Sequence, residues 1–262
     1  MNIKAVVKVM NFHALLRVDN STKQANKYTR VAEELEAMMR IILNNKNLRT
    51  DKKILTPDTT KPALKIYIGS DFGFCGNVNS SVVSKINQDP KSDKIIVGKK
   101  IKKTNSNLLY IEQEKLNNKF SEVKKILSEA VRERSWSEIY ICYNHFYNLS
   151  KIQQIEKKIY PLEPLKDGQE KKLSWTNFAI EGDVSNLLEE MIISYLSYQV
   201  KIAQASAFAA ENTIRQNATT ESLKKLDEME IETTKHERKE KTQKSFQKTI
   251  DSYVKQKSLK GL

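Results

Sequence analysis

The sequence predicts an α/β protein: a long antiparallel coiled coil of N- and C-terminal helices flanking a small α/β domain. Three observations lead there. All five prolines and six of the seven glycines lie between residues 57 and 182, so residues 1–56 and 183–260 contain no helix breaker. The middle alternates short apolar runs with amphipathic ones, the order of a layered sheet with helices. In both ends, apolar residues recur at spacings of three and four.

The N-terminal arm runs from about residue 3 to 45. Val6, Val9, Met10, His13 and Leu16, then Leu35, Met38, Met39 and Ile42, bracket a polar centre, DNSTKQANK. The middle, 57–182, offers four strands: 63–69, 94–98, 107–111 and 138–144. Helices are predicted at 76–88 and 117–135, and KKLSWTNF (171–178) as an edge strand. That order describes a mostly parallel, Rossmann-like sheet. The C-terminal arm, 183–262, opens with Asp183 or Ser185 as cap and Glu189 and Glu190 in the early turns. Val184, Leu187, Leu188, Met191, Ile192, Tyr195 and Tyr198 form its stripe, and KIAQASAFAAEN lets another helix approach closely. Leu223, Leu226, Met229 and Ile231 continue more narrowly. Residues 232–245 are nearly all polar, and Phe246, Ile250, Tyr253 and Val254 restore a seam. At ~1.5 Å per residue, the arms would measure about 60 and 110 Å. Helices that long support each other, hence the antiparallel pair.

Composition narrows the function classes. No run approaches 18 apolar residues, so no membrane span is expected. Cys75 and Cys142 make no disulfide framework and suit a reducing compartment. The start lacks acidic residues before Asp19 but is poor in Arg and Ser, which reads as a basic amphipathic helix of the mature chain rather than a transit peptide. The net charge of +13 implies anionic partners.

One loop, GSDFGFCGNVNSSV (69–82), sits between a strand and a helix, where open α/β sheets bind ligands. Its glycines, 69, 73 and 76, do not have dinucleotide spacing, and no Lys-Ser/Thr pair follows. Cys75 at a helix start is a candidate thiolate, yet a nucleophile needs a base, and the three histidines (13, 145, 236) lie elsewhere in the sequence. No metal-ligand spacing occurs. No cofactor is expected. The basic tail KHERKEKTQKSFQK is a solvated helix face, a surface for an acidic protein, or a nucleic-acid grip. A nucleotide-binding or cysteine-dependent module and a basic coiled-coil nucleic-acid binder are therefore the alternatives to a structural subunit.

The same loop resembles the Ser-Asp-Arg-Gly-Leu-Cys-Gly-Gly-Phe-Asn loop of the F-type ATP synthase gamma subunit, the rotor shaft. Ser70, Asp71, Gly73, Cys75, Gly76 and Asn79 match. VAEEL (31–35), ICYNHFYN (141–148), YPLEP (160–164) and SAFAAENTIRQNATTES (206–222) resemble further family stretches in order, the last through Ser206, Glu211, Arg215 and Ala218. Phe72 replaces the loop arginine, Met1 falls inside the family's first helix, and FHALLRV and TTKHERKEKTQ depart from its bearing segments. The departures point to a divergent member, the gamma-like rotor of a specialised F1-like ATPase.

The resemblance implies a non-catalytic shaft coupling rotation to sequential ATP hydrolysis or synthesis. Its implied partners are alpha and beta head subunits, an epsilon-type subunit and a membrane rotor ring, with no nucleic acid. Its implied place is peripheral, on the cytoplasmic face of a bacterial membrane. Lys8, Arg17, Arg215, Lys235 and Arg238 are the expected rotor–stator contacts, and Arg215→Glu is expected to weaken coupling without unfolding the chain. The 69–79 loop is expected to be the turn that holds the α/β domain against the shaft.

Overall fold

A computed structural model describes residues 3–44, 57–102, 107–162 and 182–259. The expected 171–178 edge strand and the end of YPLEP lie outside the described residues. Two long helices bracket the fold: α1, Ile3–Asn44, of 42 residues, and α4, Val184–Leu259, of 76. Between them come β1 (Leu64–Ile68), α2 (Val78–Asn87), β2 (Asp93–Val97), β3 (Asn107–Ile111), α3 (Phe120–Arg132), β4 (Ile139–Asn148) and β5 (Lys151–Tyr160). The strand order is β3-β2-β1-β4-β5. The first four strands are parallel and β5 runs antiparallel to β4.

The sequence reading ends the fourth strand at residue 144 and places no strand at 151–160. The chain instead continues β4 to Asn148 and returns as β5. The turn is set by Asn148, whose Oδ1 accepts the backbone N–H groups of Ser150 at 2.9 Å and Lys151 at 2.8 Å. The strand KIQQIEKKIY is polar because it is an edge, and its lysines blunt pairing with another chain.

Period-two alternation divides the sheet into two faces. Leu64, Ile66, Ile68, Ile95, Val97, Ile139 and Ile141 point into the larger core. There they meet Val123, Leu127 and Ala130 of α3, Leu188, Ile192, Leu196 and Val200 of α4, and Met39 and Ile42 of α1. Tyr67, Ile96 and Cys142 point to the other face, against Val82 and Ile86 of α2 and against Ile101. Burial pushes the Cys142 thiol up to about 12, so it stays protonated and serves as packing.

By packing, the chain divides into two compact units, His13–Gln216 and Met1–Phe12 with Asn217–Leu262. In the larger unit, α1 and α4 meet through the rings of Tyr28 and Tyr198, 6.0 Å between centroids. Ala203, Ala205, Ala207, Ala209 and Ala210 are all buried there, as the small-residue run predicts. Asp183 is the cap, its Oδ1 accepting the Ser185 N–H at 2.9 Å.

In the smaller unit, Asn11 Nδ2 donates to Thr219 Oγ1 at 2.9 Å and to Thr220 Oγ1 at 2.8 Å. Lys4 pairs with Asp227 at 2.6 Å and Glu230 at 2.5 Å. Rising α1 numbers meet falling α4 numbers, so the helices are antiparallel. The seam expected at Phe246, Ile250, Tyr253 and Val254 is corrected: all four side chains are exposed. Thr233, Thr234, Thr242 and Thr249 turn their hydroxyls back onto the carbonyls of Met229, Glu230, Arg238 and Ser245, four residues earlier.

Candidate functional site

The 69–79 loop leaves β1 and enters α2, and its motif residues are joined to one another. Asn79 reaches back, its Oδ1 accepting the Ser70 N–H at 2.9 Å and its Nδ2 donating to Ser70 Oγ at 2.8 Å. Ser70 Oγ donates to the Phe72 carbonyl at 2.8 Å. Cys75, 2% exposed, lies 3.4 Å from Ser70 Oγ, 3.5 Å from the Phe72 carbonyl and 3.5 Å from Asn79 Nδ2. None of those partners is a base, so the thiol closes the turn and has no proton acceptor to activate it.

Asp71 works outward. Its Oδ1 accepts the backbone N–H groups of Lys99 at 2.7 Å and Gln113 at 2.9 Å, and its Oδ2 accepts that of Glu114 at 2.9 Å. One carboxylate thus ties the ends of β1, β2 and β3 together and caps the 3₁₀ turn Gln113–Lys115. Close packing reinforces this. A side chain at Gly98, whose φ is +123°, would meet the Gly69 carbonyl carbon at 2.8 Å. These contacts occupy the C-terminal ends of β1, β2 and β3 with groups of the chain itself.

The loop meets α4 on its far side. Gly76, at φ +59°, leaves room for Ile214, whose Cγ2 a Cβ would meet at 3.3 Å. Arg215 donates to the Gly73 carbonyl at 3.3 Å and to Asn212 Oδ1 at 2.7 Å, and pairs with Glu211 at 2.5 Å. Both side chains of the pair are buried, at 8% and 1% exposed. Burial pushes the Glu211 carboxyl up, and the Arg215 guanidinium opposes that. Arg215 is therefore corrected as a surface contact: its charge is spent inside the chain, on Glu211 and the loop. Lys8, Arg17, Lys235 and Arg238 are exposed, as surface contacts require. Lys8, Lys235 and Arg238 belong to the smaller unit and Arg17 to the larger.

Glu211 carries an i, i+4 signal toward Arg215 inside an alanine-rich run, a sign of a buried pair that the surface reading overlooks. A second link escapes the sequence altogether. Ser206 Oγ of α4 accepts the Phe146 N–H at 3.0 Å and lies 3.0 Å from His145 Nδ1. The Tyr143 hydroxyl is 3.2 Å from the same nitrogen. A neutral imidazole that carries its proton on Nε2 can accept at Nδ1 from one of these hydroxyls; a protonated one cannot. Burial, then the nearby Lys157 charge, hold the His145 pKa below its ordinary value.

A depressed histidine contributes stability that is complete above the unfolded pKa, about 6.5. That stability is lost as the pH falls through the lower folded value. Urea midpoints followed from pH 7.5 to 5 should fall, and His145→Gln should flatten that fall. Parallel curves for the two chains would remove His145 from this role.

Phe72 and Phe74 project from the loop, 45% and 79% exposed, with Phe74 at φ +58°. Among the described residues, no group of three or more His, Cys, Asp or Glu side chains is placed to hold a metal ion. No described helix is long and apolar enough to cross a membrane.

These features define a class: proteins whose two long terminal helices pair antiparallel and whose α/β domain uses its ligand-side loop to grip one of them. The comparisons give the family. The family model described as ATP synthase matches residues 1–249. ATP synthase gamma chains are similar over most of both sequences. That of Clostridium perfringens is 23% identical over 242 residues, covering 87% of this chain and 83% of its own. That of Rickettsia felis is 25% identical, covering 83% and 84%. In fold, the chain is similar to the Tetrahymena thermophila mitochondrial ATP synthase central stalk, with a TM-score of 0.58 and 18% identity over 83% of this chain and 99% of that one. A chain of the Euglena gracilis mitochondrial ATP synthase is similar at a TM-score of 0.50 and 15% identity, over 96% of each. This chain belongs to the ATP synthase gamma family, the central-stalk subunit of F-type ATP synthases.

Proposed function

We propose that this chain is the non-catalytic rotor shaft of an F1-like rotary ATPase. It turns within a head of alpha and beta subunits and imposes the asymmetry that makes their sites bind and release nucleotide in sequence. The observation that carries this reading is the 232–255 stretch of α4. It is helical, every residue in it is exposed, and it is rich in basic side chains. Lys235 and Arg238 have no carboxylate within ion-pair distance among the described residues. A helix that buries none of itself needs an outside surface, and its charge selects an acidic one. Exposed pairs contribute only about 0–1 kcal/mol each, so contacts of this kind can be broken and remade at every step.

The α/β domain is the foot, facing an epsilon-type subunit and the membrane rotor ring, and the complex sits peripherally on the cytoplasmic face of a bacterial membrane. The departures at Phe72, FHALLRV and TTKHERKEKTQ favour a specialised F1-like ATPase.

Replacing Lys235 and Arg238 together by glutamate tests the shaft. In the complex co-expressed with its alpha- and beta-like subunits, ATP turnover should fall severalfold. The urea midpoint of the chain should not move, since both positions are exposed. Unchanged turnover in an intact complex would refute the contact. Purification of the native chain without any ATP-hydrolysing subunit would refute the shaft itself.

A further inference from the structure

β4 and β5 outrun the parallel part of the sheet. β1 pairs with β4 as far as Tyr67, opposite Cys142, whereas β4 runs on to Asn148 and β5 returns from Lys151. Tyr143 to Asn148 and Lys151 to Ile155 therefore pair with each other as a two-stranded ribbon. Such a ribbon is marginal by itself, so what it rests on decides whether it stays in place. It rests on α4.

The hold is narrow. Among the described residues, every hydrogen bond between residues 145–152 and α4 ends on the Ser206 hydroxyl. Tyr147 and Leu149 at the tip are 48% and 54% exposed, so little apolar burial assists. Ser206 itself is 4% exposed, and bulk water does not replace a partner it loses.

That hydroxyl has two tasks. Its oxygen accepts the Phe146 N–H at 3.0 Å, and its hydrogen can go to His145 Nδ1, also at 3.0 Å. The arrangement requires a ring whose Nδ1 carries no proton. A protonated ring turns an N–H toward Oγ, where the hydroxyl hydrogen already points. Among the described residues, no carboxylate pairs with the ring. From β4 it faces the rings of Tyr143 and Tyr147, at 5.7 and 4.4 Å between centroids. From β5 it faces the Lys157 ammonium. From α4 it faces Ser206, while Gln199 accepts from Lys157 at 2.9 Å. Glu36 of α1 acts on Lys157 rather than on the ring. Protonation thus sets two cations near each other and removes the acceptor at the ribbon's polar hold.

We propose that the outer ribbon is an acid-released latch: protonation of His145 frees residues 145–152 from α4 while the sheet, the core and α4 stay folded. The loss of stability expected of His145 then begins as a local opening. The latch does not depend on the shaft reading; on that reading, acid slackens one of the domain's holds on the rotor.

Amide exchange is followed in the full chain, ¹⁵N-labelled, at pH 7.5 and pH 5, with each rate compared to that of an unprotected amide at the same pH. Protection of the Phe146 N–H should fall severalfold at pH 5, while that of the Ile96 N–H, between β1 and β3, should hold. Ser206→Ala should leave Phe146 poorly protected at both pH values with Ile96 still protected. His145→Gln, which cannot titrate, should give Phe146 the same protection at both. Equal losses at Phe146 and Ile96 would mean acid unfolding of the whole chain and would overturn the latch. So would a Phe146 amide that stays protected at pH 5, or a His145→Gln chain that opens as the native chain does.

Discussion

Asp71→Ala should destabilise the chain by about 3–4 kcal/mol, because it strips the acceptor from three backbone donors at once. The N–H groups of Lys99, Gln113 and Glu114 all end on this carboxylate. Each buried donor left alone costs about 1–3 kcal/mol, and the three are not additive because water reaches part of the vacated space. Asp71→Asn should cost less than half as much. The amide oxygen can keep the two bonds now made by Oδ1, while the amide nitrogen turns a donor toward the Glu114 N–H. Urea unfolding at constant m-value measures both changes, and amide exchange at the three donors localises them. Equal midpoints for the native chain and Asp71→Ala would show that the carboxylate does not clamp the sheet end.

Arg215→Ala should cost about 3–5 kcal/mol, the range for removing one member of a buried ion pair. The carboxylate left behind has no substitute: Glu211 Oε2 already lacks a hydrogen-bond partner among the described residues. Arg215→Glu should be worse, since two carboxylates would then share one turn of α4. This reverses the expectation drawn from the sequence, in which that substitution leaves folding intact. The double change Glu211→Gln with Arg215→Met should recover much of the loss, because it removes both desolvated charges. A double variant as unstable as Arg215→Ala would place the cost in lost packing around Gly73 rather than in the orphaned charge.

The breakers made the architecture legible. With every proline and all but one glycine confined to the middle, the two arms read as helices, and they run 3–44 and 184–259. β1, β2 and β4 were legible because they are buried on both faces and so read as apolar runs, and β3, a partly exposed edge strand, because NLLYI is itself apolar. β5 was not, because an edge strand need not be apolar and its Lys-rich pattern imitates a loop.

At the loop, spacing was enough to exclude a phosphate cradle, but not to show what the polar residues do. Asp71 finds its partners 28, 42 and 43 positions away, and no local pattern encodes such distances. Arg215 looked like a surface cation because a charge on a helix is usually solvated. Its burial depends on which face of α4 the loop covers, and that is decided by tertiary packing.

The threonines along the outer part of α4 have a mechanical consequence. Each hydroxyl at 233, 234, 242 and 249 competes with a backbone N–H for a carbonyl four residues back. Such sharing lengthens the main-chain bond on one side of a helix and lets it bend. The repeats fall in a stretch with no core to hold it straight, so α4 carries a set of weak joints where its sequence has neither glycine nor proline. The helix can therefore flex under a sideways load while every turn remains formed, as a leaf spring does.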